Sequence, residues 1–461
     1  MRPEDSPFLH LIELQNGAAL FHALTQQVVY GPYKLLRRRV PKEFETALPT
    51  SAEEEDILRG WRRDCAAGGV SMATMYLTTA CPHSCGYCFL AGTELRAESM
   101  TKEEISRALR TLEETADTAG ADLLLYGGEP FLRPDLIEHA LERAAATPAV
   151  KGIIAITAGH GADSELAAKL AARDVFMIVS MDGPPEVHDR CRPLGGGRSS
   201  FELARRAFHV YREAGCRVGI SVTLTSGNLE AMPKGFVWLI DTFDPDDIGL
   251  NSALHPDMKG RLPECQVPAA RATRVMLQCL ELARQRRVYV EQLFRRLRPF
   301  ALSRPRLRDC PAAGARLVFA PGERMGFCDC LTLRGVGVTG ARSSDAPGDL
   351  HLDELKRCCP VFWDHCLSCP SLSICGGGCR YDAWCASGSL SGRSPYRCEQ
   401  ERLLLRWLLT DLRDSCGFEA GDTRILIPSR EERLAMLGGI DPLDNRVVPM
   451  PRGTLCGEPR T

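Results

Sequence analysis

Three cysteines within eight residues, Cys81, Cys85 and Cys88, directly follow an apolar run at 72–78. The spacing is Cys-x3-Cys-x2-Cys. One short loop carrying three thiols suits a polynuclear metal centre, because thiolates are the ligands that soft iron–sulfur clusters require. Three ligands rather than four is the informative point: one iron of a cubane stays open for an exchangeable ligand. The competing readings are packed thiols or a zinc knuckle, and zinc would need a fourth ligand, for which His83 is the candidate.

Cysteine usage in the whole chain points the same way. There are 21 cysteines in 461 residues, and twelve of them fall between Cys310 and Cys416. The first residues, from Met1 to Ser6, are acidic and lack the basic and apolar regions of an export signal, so a cytoplasmic location is expected. In that compartment thiols stay reduced, and many cysteines imply metal rather than disulfides. A formal net charge of −2 gives no support for a nucleic-acid or membrane-surface partner. No apolar run approaches the ~18 residues that a membrane span needs.

From about residue 71 apolar strand-like runs alternate with amphipathic helical segments. Strands are expected at 72–78, 122–126, 153–157, 175–181, 217–225 and 248–253, each rich in Val, Ile, Leu or Met as in strands buried on both faces. Thr101 with Glu104, and Ser199 with Glu202, read as capping boxes opening the helices between them. Six βα units in sequence predict an α/β fold: a partial (β/α)6 TIM-like barrel with its site at the C-terminal strand ends. Residues 1–70 read as a small α+β unit, with a hairpin turning at Asn16-Gly17, a strand at 27–30 and a helix at 53–63. The expected division is 1–70, a barrel at 71–295, a cysteine-rich domain at 296–400, and a helix with an irregular tail at 401–461.

Two further motifs stand at telling places. Gly127, Gly128, Glu129 and Pro130 close the second barrel strand. Cys366, Cys369, Cys375 and Cys379 form a Cys-x2-Cys-x5-Cys-x3-Cys array followed by Cys398, with Cys310 and Cys328 upstream. A structural zinc ribbon is the competing reading of that array. Single cysteines such as Cys216 and Cys279 read as core residues.

The cysteine trio after a first barrel strand, with Tyr87 before the third cysteine and Gly-Gly-Glu-Pro after the second strand, resembles the radical S-adenosylmethionine (SAM) superfamily. The later array resembles the SPASM domain of its peptide-modifying members. The resemblance implies one [4Fe-4S] cluster on Cys81, Cys85 and Cys88 with SAM on its open iron, and Gly127, Gly128, Glu129 and Pro130 near the methionine ammonium. Ser180 and Asp182, at the end of the fourth strand, would also face the cofactor, while His188 and Asp189 would order their loop. Relatives often carry Thr-Asn-Gly where this chain has Thr157, Ala158 and Gly159. Two auxiliary [4Fe-4S] clusters are implied: an outer one on Cys366, Cys369, Cys375 and Cys398, and an inner one on Cys310, Cys328 and Cys379. Cys330 and Cys385 are the candidates for its fourth ligand, and an open iron is the alternative.

The implied activity is that of an oxidoreductase that matures a ribosomally made peptide by hydrogen abstraction through a 5′-deoxyadenosyl radical. Its implied partners are a precursor peptide or protein and an electron donor such as flavodoxin or ferredoxin. The N-terminal unit would dock the precursor along a strand edge. A formylglycine-forming sulfatase maturase, a small-molecule dehydrogenase and a non-catalytic iron–sulfur carrier are the alternatives.

Overall fold

All seven residues of Met72–Thr78 are buried, because helices cover one face of this strand while the other faces the barrel interior. The structure, a computed structural model, describes residues 1–93, 95, 97–253, 267–336, 352–418 and 424–438. A three-stranded antiparallel sheet comes first: β1 (Leu9–Leu14), β2 (Gly17–His22) and β3 (Val28–Gly31), in that order. The barrel strands are β4 (Met72–Thr78), β5 (Ala121–Gly127), β6 (Val150–Thr157), β7 (Phe176–Ser180), β8 (Val218–Leu224) and β9 (Ile248–Ser252). They run parallel in sequence order, as the alternation predicts. Thr101 and Glu104 form the expected capping box. Ser199 caps its helix, but the Glu202 carboxylate binds Arg205 instead of returning to the cap.

The sheet does not stop at β4. Two strands from the cysteine-rich region, β10 (Arg316–Ala320) and β11 (Arg324–Gly326), extend it, giving the order β11-β10-β4-β5-β6-β7-β8-β9. β10 lies parallel to β4, pairing Arg316 with Met72 through to Phe319 with Met75. Pro321 and Gly322 lie in the turn between these two strands, whose joining of the barrel sheet the sequence reading misses.

The N-terminal sheet packs onto the same apolar core. Phe8, Phe21, Tyr30 and Trp61 belong to one buried cluster with the barrel residues. The Tyr30 hydroxyl donates to the Leu409 carbonyl at 2.7 Å, and Tyr30 and Leu426 exchange backbone hydrogen bonds at 2.9 and 3.1 Å. That bridge covers β3 and leaves β1 with one strand neighbour among the described residues. The hairpin turn falls at Gln15-Asn16, with Leu14 paired to Gly17. Helices Ala269–Arg286 and Glu291–Ala301 follow the last barrel strand. Helix Pro395–Ser415 packs on the first of them, and Asp411 accepts from Arg284 at 2.8 and 2.9 Å. The expected irregular tail contains a short capped helix, Arg430–Ala435; residues 439–461 of that tail lie outside the described residues. Among the described residues no helix is long and apolar enough to cross a membrane.

Candidate active site at the strand ends

The trio loop leaves the C-terminal end of β4 and is tied down on three sides. The Ser84 amide donates to the Pro193 carbonyl at 3.0 Å, and the Thr79 amide donates to the Glu98 carbonyl at 2.8 Å. From within the loop, the Tyr87 hydroxyl reaches the Asp182 carboxylate at 2.5 Å. Cys81 is exposed and Cys85 and Cys88 are half-buried, and all three line a cavity of about 510 Å³. Burial pushes the Cys85 thiol up to about 12, so a metal held there would have to drive its ionisation. Both nitrogens of His83 are engaged elsewhere: Nε2 lies 2.9 Å from His160 Nε2 and Nδ1 lies 3.3 Å from the Arg192 carbonyl. The zinc reading therefore lacks its fourth ligand, whereas a thiolate trio beside an open cavity fits a cluster with one exchangeable position.

Gly127 and Gly128 form part of the cavity wall, and their need for glycine comes from the trio loop itself. The Gly128 amide donates to the Thr78 carbonyl and the Glu129 amide to the Ala80 carbonyl, both at 2.8 Å. A Cβ on Gly128 would sit 2.4 Å from the Ala80 oxygen. Glu129 stands behind the wall, fully buried. Its carboxylate accepts from the Phe131 amide at 3.1 Å, the Thr157 hydroxyl at 2.9 Å and the Ala158 amide at 2.6 Å. Burial pushes its pKa up to about 7 against the pull of those donors. Glu129 thus joins the ends of β5 and β6, and Pro130 starts the short helical turn after it. Glu129→Gln turns one acceptor into an amide facing donors, and should cost about 1–3 kcal/mol in a urea titration.

Ser180 lines the cavity, while Asp182 is fully buried beneath the trio loop. Asp182 accepts from Tyr87, from Arg192 Nε at 2.9 Å and from the Thr223 amide at 2.9 Å. The Arg192 guanidinium in turn lies over the Tyr87 ring at 5.5 Å. This network was not legible beforehand, although Tyr87 stands inside the cysteine motif that the sequence singles out. His188 and Asp189 do order their loop, but not as a pair. His188 Nδ1 accepts from the Asp182 amide at 3.3 Å, while Asp189 accepts from the Ser200 hydroxyl at 2.9 Å and the Phe201 amide at 2.8 Å. Burial pushes His188 down to about 4, which keeps it neutral.

The cysteine-rich region closes the cavity from the β4–β10 side. Cys310 and Cys379 line the wall together with Asp309, Arg316 and Asp329. Cys328 is a charge neighbour of both Cys310 and Cys379. Arg316 lies beside Cys310 and Cys328 and is ion-paired to Asp329. Cys366, Cys369 and Cys398 form a second neighbourhood, with Cys375 next to Cys366. Between the arrays, Gly376 has φ +64°, and a Cβ there would meet the Arg308–Asp309 backbone at 2.4 Å. This close approach brings the second array against the segment leading into Cys310. Cys216 and Cys279 are buried core residues, as expected. Among the described residues no three His, Cys, Asp or Glu side chains close around a point fit for a single metal ion.

Residues 75–232 match the family described as the Radical SAM superfamily. The Fe-coproporphyrin III synthase of Methanosarcina barkeri is 30% identical over 163 residues, which is 35% of this chain and 38% of that protein. The PqqA peptide cyclase of Granulibacter bethesdensis is 29% identical over 169 residues, 34% of this chain and 41% of that protein. The matches therefore span less than half the length of these curated relatives. Among solved structures, anSMEcpe with bound AdoMet has a TM-score of 0.60 at 18% identity, covering 76% of this chain and 99% of its own. SuiB of Streptococcus suis bound to precursor peptide SuiA has a TM-score of 0.52 at 15% identity, covering 86% and 99%. These two likenesses are of fold. The trio loop and the glycine pair at the barrel mouth thus lie inside the segment, residues 75–232, that is similar in sequence to the Radical SAM superfamily.

Proposed function

We propose that this enzyme modifies a side chain of a ribosomally made peptide, forming a crosslink or a related change by hydrogen abstraction. The observation that carries the reading is the single cavity walled by the trio cysteines on one side and by Cys310 and Cys379 on the other. A substrate between them would meet both a site that starts radical chemistry and one that accepts an electron. Cys81, Cys85 and Cys88 would hold the [4Fe-4S] cluster, whose remaining iron takes SAM. When bound, this pair supplies a carbon-centred radical that abstracts hydrogen. Gly127, Gly128 and Ser180 would shape the SAM pocket, with Glu129 and Asp182 holding those walls in place. Cys310, Cys328 and Cys379 would hold an inner auxiliary cluster, and Cys366, Cys369, Cys375 and Cys398 an outer one. A flavodoxin or ferredoxin would supply the starting electron. The test is to combine reconstituted enzyme, SAM, a reductant and the short peptide encoded nearest its gene. The expected result is 5′-deoxyadenosine together with a peptide that has lost hydrogen. Deoxyadenosine formation with no modified peptide or protein substrate would favour a small-molecule reaction.

The precursor would dock along the open edge of β1. Bonded pairs alternate along an antiparallel ladder, and the Ala23 amide bonds the Phe8 carbonyl. Leu11 and Glu13 therefore turn their backbone groups outward, where an added strand can bind them. Deleting residues 1–70 would strip the shared core, so a point change is the cleaner probe. Glu13→Pro removes one outward donor at an exposed edge position. It should raise KM for the full precursor roughly fivefold and leave uncoupled SAM cleavage unchanged. An unchanged KM would remove β1 from the docking role.

A further inference from the structure

We infer that the substrate presents a carboxylate to Arg295, so that an acidic group stands close to the position that is modified. The inference rests on the reading of the cavity as the substrate site. Five arginines line that cavity: Arg192, Arg295, Arg296, Arg316 and Arg397. Four of them are engaged by acids of the protein. Arg192 donates to Asp182 at 2.9 Å, Arg296 to Glu401 at 2.7 Å and Arg397 to Asp382 at 2.6 Å, while Arg316 is paired with Asp329. Arg295 differs. Its Nε is buried without a partner, and its guanidinium makes no hydrogen bond among the described residues. It has only looser ion pairs, with Glu291 at 3.7 Å and Asp309 at 3.6 Å. Asp309 does not come closer, because Arg296 and Arg306 already converge on the same Oδ1. A guanidinium stays charged and carries five donors in a planar fork, so one that is only 19% exposed calls for an acceptor.

The position of Arg295 points to the substrate as the source of that acceptor. Its helix, Glu291–Ala301, is fixed to β9 through Gln292, which accepts from the Leu250 amide and donates to Asn251 at 2.9 Å. Asp309, beside Arg295, directly precedes Cys310. Arg295 therefore stands between β9 and the cysteine-rich wall, whereas Gly127 and Ser180, proposed to shape the SAM pocket, end β5 and β7. The three acids in the cavity wall, Asp309, Asp329 and Glu401, each hold an arginine already. An incoming carboxylate would thus meet one guanidinium with free donors and no unpaired acid. Fork-on-carboxylate pairing would fix the orientation of the group as well as its charge.

The first arm of the test needs no peptide. Reconstituted full-length enzyme is treated with phenylglyoxal, which adds to arginines free of hydrogen bonds, and the labelled positions are mapped by mass spectrometry. Arg295 should react before Arg296 and Arg397. Glutarate should slow its labelling and the uncharged glutaramide should not, while exposed Arg402 should respond to neither. Arg295 left unlabelled, or slowed equally by both compounds, overturns the inference. The second arm uses SAM and the precursor of the peptide assay, with each Asp and Glu in turn replaced by its amide, and the C-terminal carboxylate likewise. One replacement should raise the KM for precursor at least about tenfold. Arg295→Gln should raise it as much, and the two together no further. Arg295→Lys, which keeps the charge without the fork, should fall between. A modified precursor in which no carboxylate is coupled to Arg295 overturns the inference. So does a rise in the KM for SAM in Arg295→Gln, which would assign the guanidinium to the methionine carboxylate. If glutarate protects Arg295 but no peptide is modified, the peptide reading falls and a carboxylate-bearing small molecule takes its place.

Discussion

Changing Cys81, Cys85 and Cys88 together to alanine should abolish SAM cleavage while leaving a folded protein. None of the three thiols belongs to the buried core, and the loop is anchored by other groups: the Ser84 and Thr79 amides and the Tyr87 hydroxyl. If these thiols hold the cluster, the variant would have no iron at which SAM could be bound and reduced. Deoxyadenosine should fall below detection. Iron should drop from about twelve to about eight per chain if all three sites take four-iron clusters. The far-UV spectrum and the urea midpoint should be nearly unchanged. Sustained deoxyadenosine formation by this variant would show that the trio is not the initiating site.

The second large effect is expected at Asp182. This carboxylate is fully buried and is the counter-charge of Arg192, whose side chain is almost as deep. Asp182→Ala leaves a guanidinium stranded in a low-dielectric site, a change that costs about 3–5 kcal/mol. It also releases the Tyr87 hydroxyl and the Thr223 amide. Urea unfolding should show the lost stability, and anaerobic reconstitution should show poor loading of the trio site alone. Asp182→Leu combined with Arg192→Met removes both charges, so it should recover most of the stability. It should not recover the loading, because Tyr87 still lacks its anchor. If the double variant loads normally, Tyr87 is held by something other than this network.

The barrel was legible because its strands announce themselves twice, as apolar runs and as partners of helices with capping signals. Met72–Thr78 appears in the structure with the bounds expected from sequence, and the other five barrel strands differ by three residues or fewer at either end. The cysteine motifs were legible because thiol spacing is rare and chemically specific. Other features were not, for physical reasons. Arg316–Ala320 is a short run that forms a strand only because β4 offers it an edge, and no local pattern encodes that offer. The Gly-Gly pair could be read as a place where backbone comes close, but not as backbone approaching the trio loop. Glu129 and Asp182 look like cofactor-facing acids in the sequence; the structure puts both behind the wall, because each has a full set of backbone and side-chain donors there. The N-terminal hairpin was legible as a unit, whereas its apolar face on the barrel core depends on long-range packing that composition does not reveal.

The parallel pairing of β10 with β4 has a consequence for electron movement. β4 ends at the trio loop, while β11 runs back along β10 and leads to Cys328 toward the start of β4, so both groups of thiols are carried by strands of one hydrogen-bonded sheet. Their separation is not adjustable by a hinge. A slip of one residue would move one group by about 3.3 Å and turn every side chain of the strand to the opposite face. Were clusters to occupy both sites, the gap across which an electron would tunnel would be set in discrete steps by strand register. Insertions or deletions in the connecting turns could retune it, while thermal motion of a domain could not.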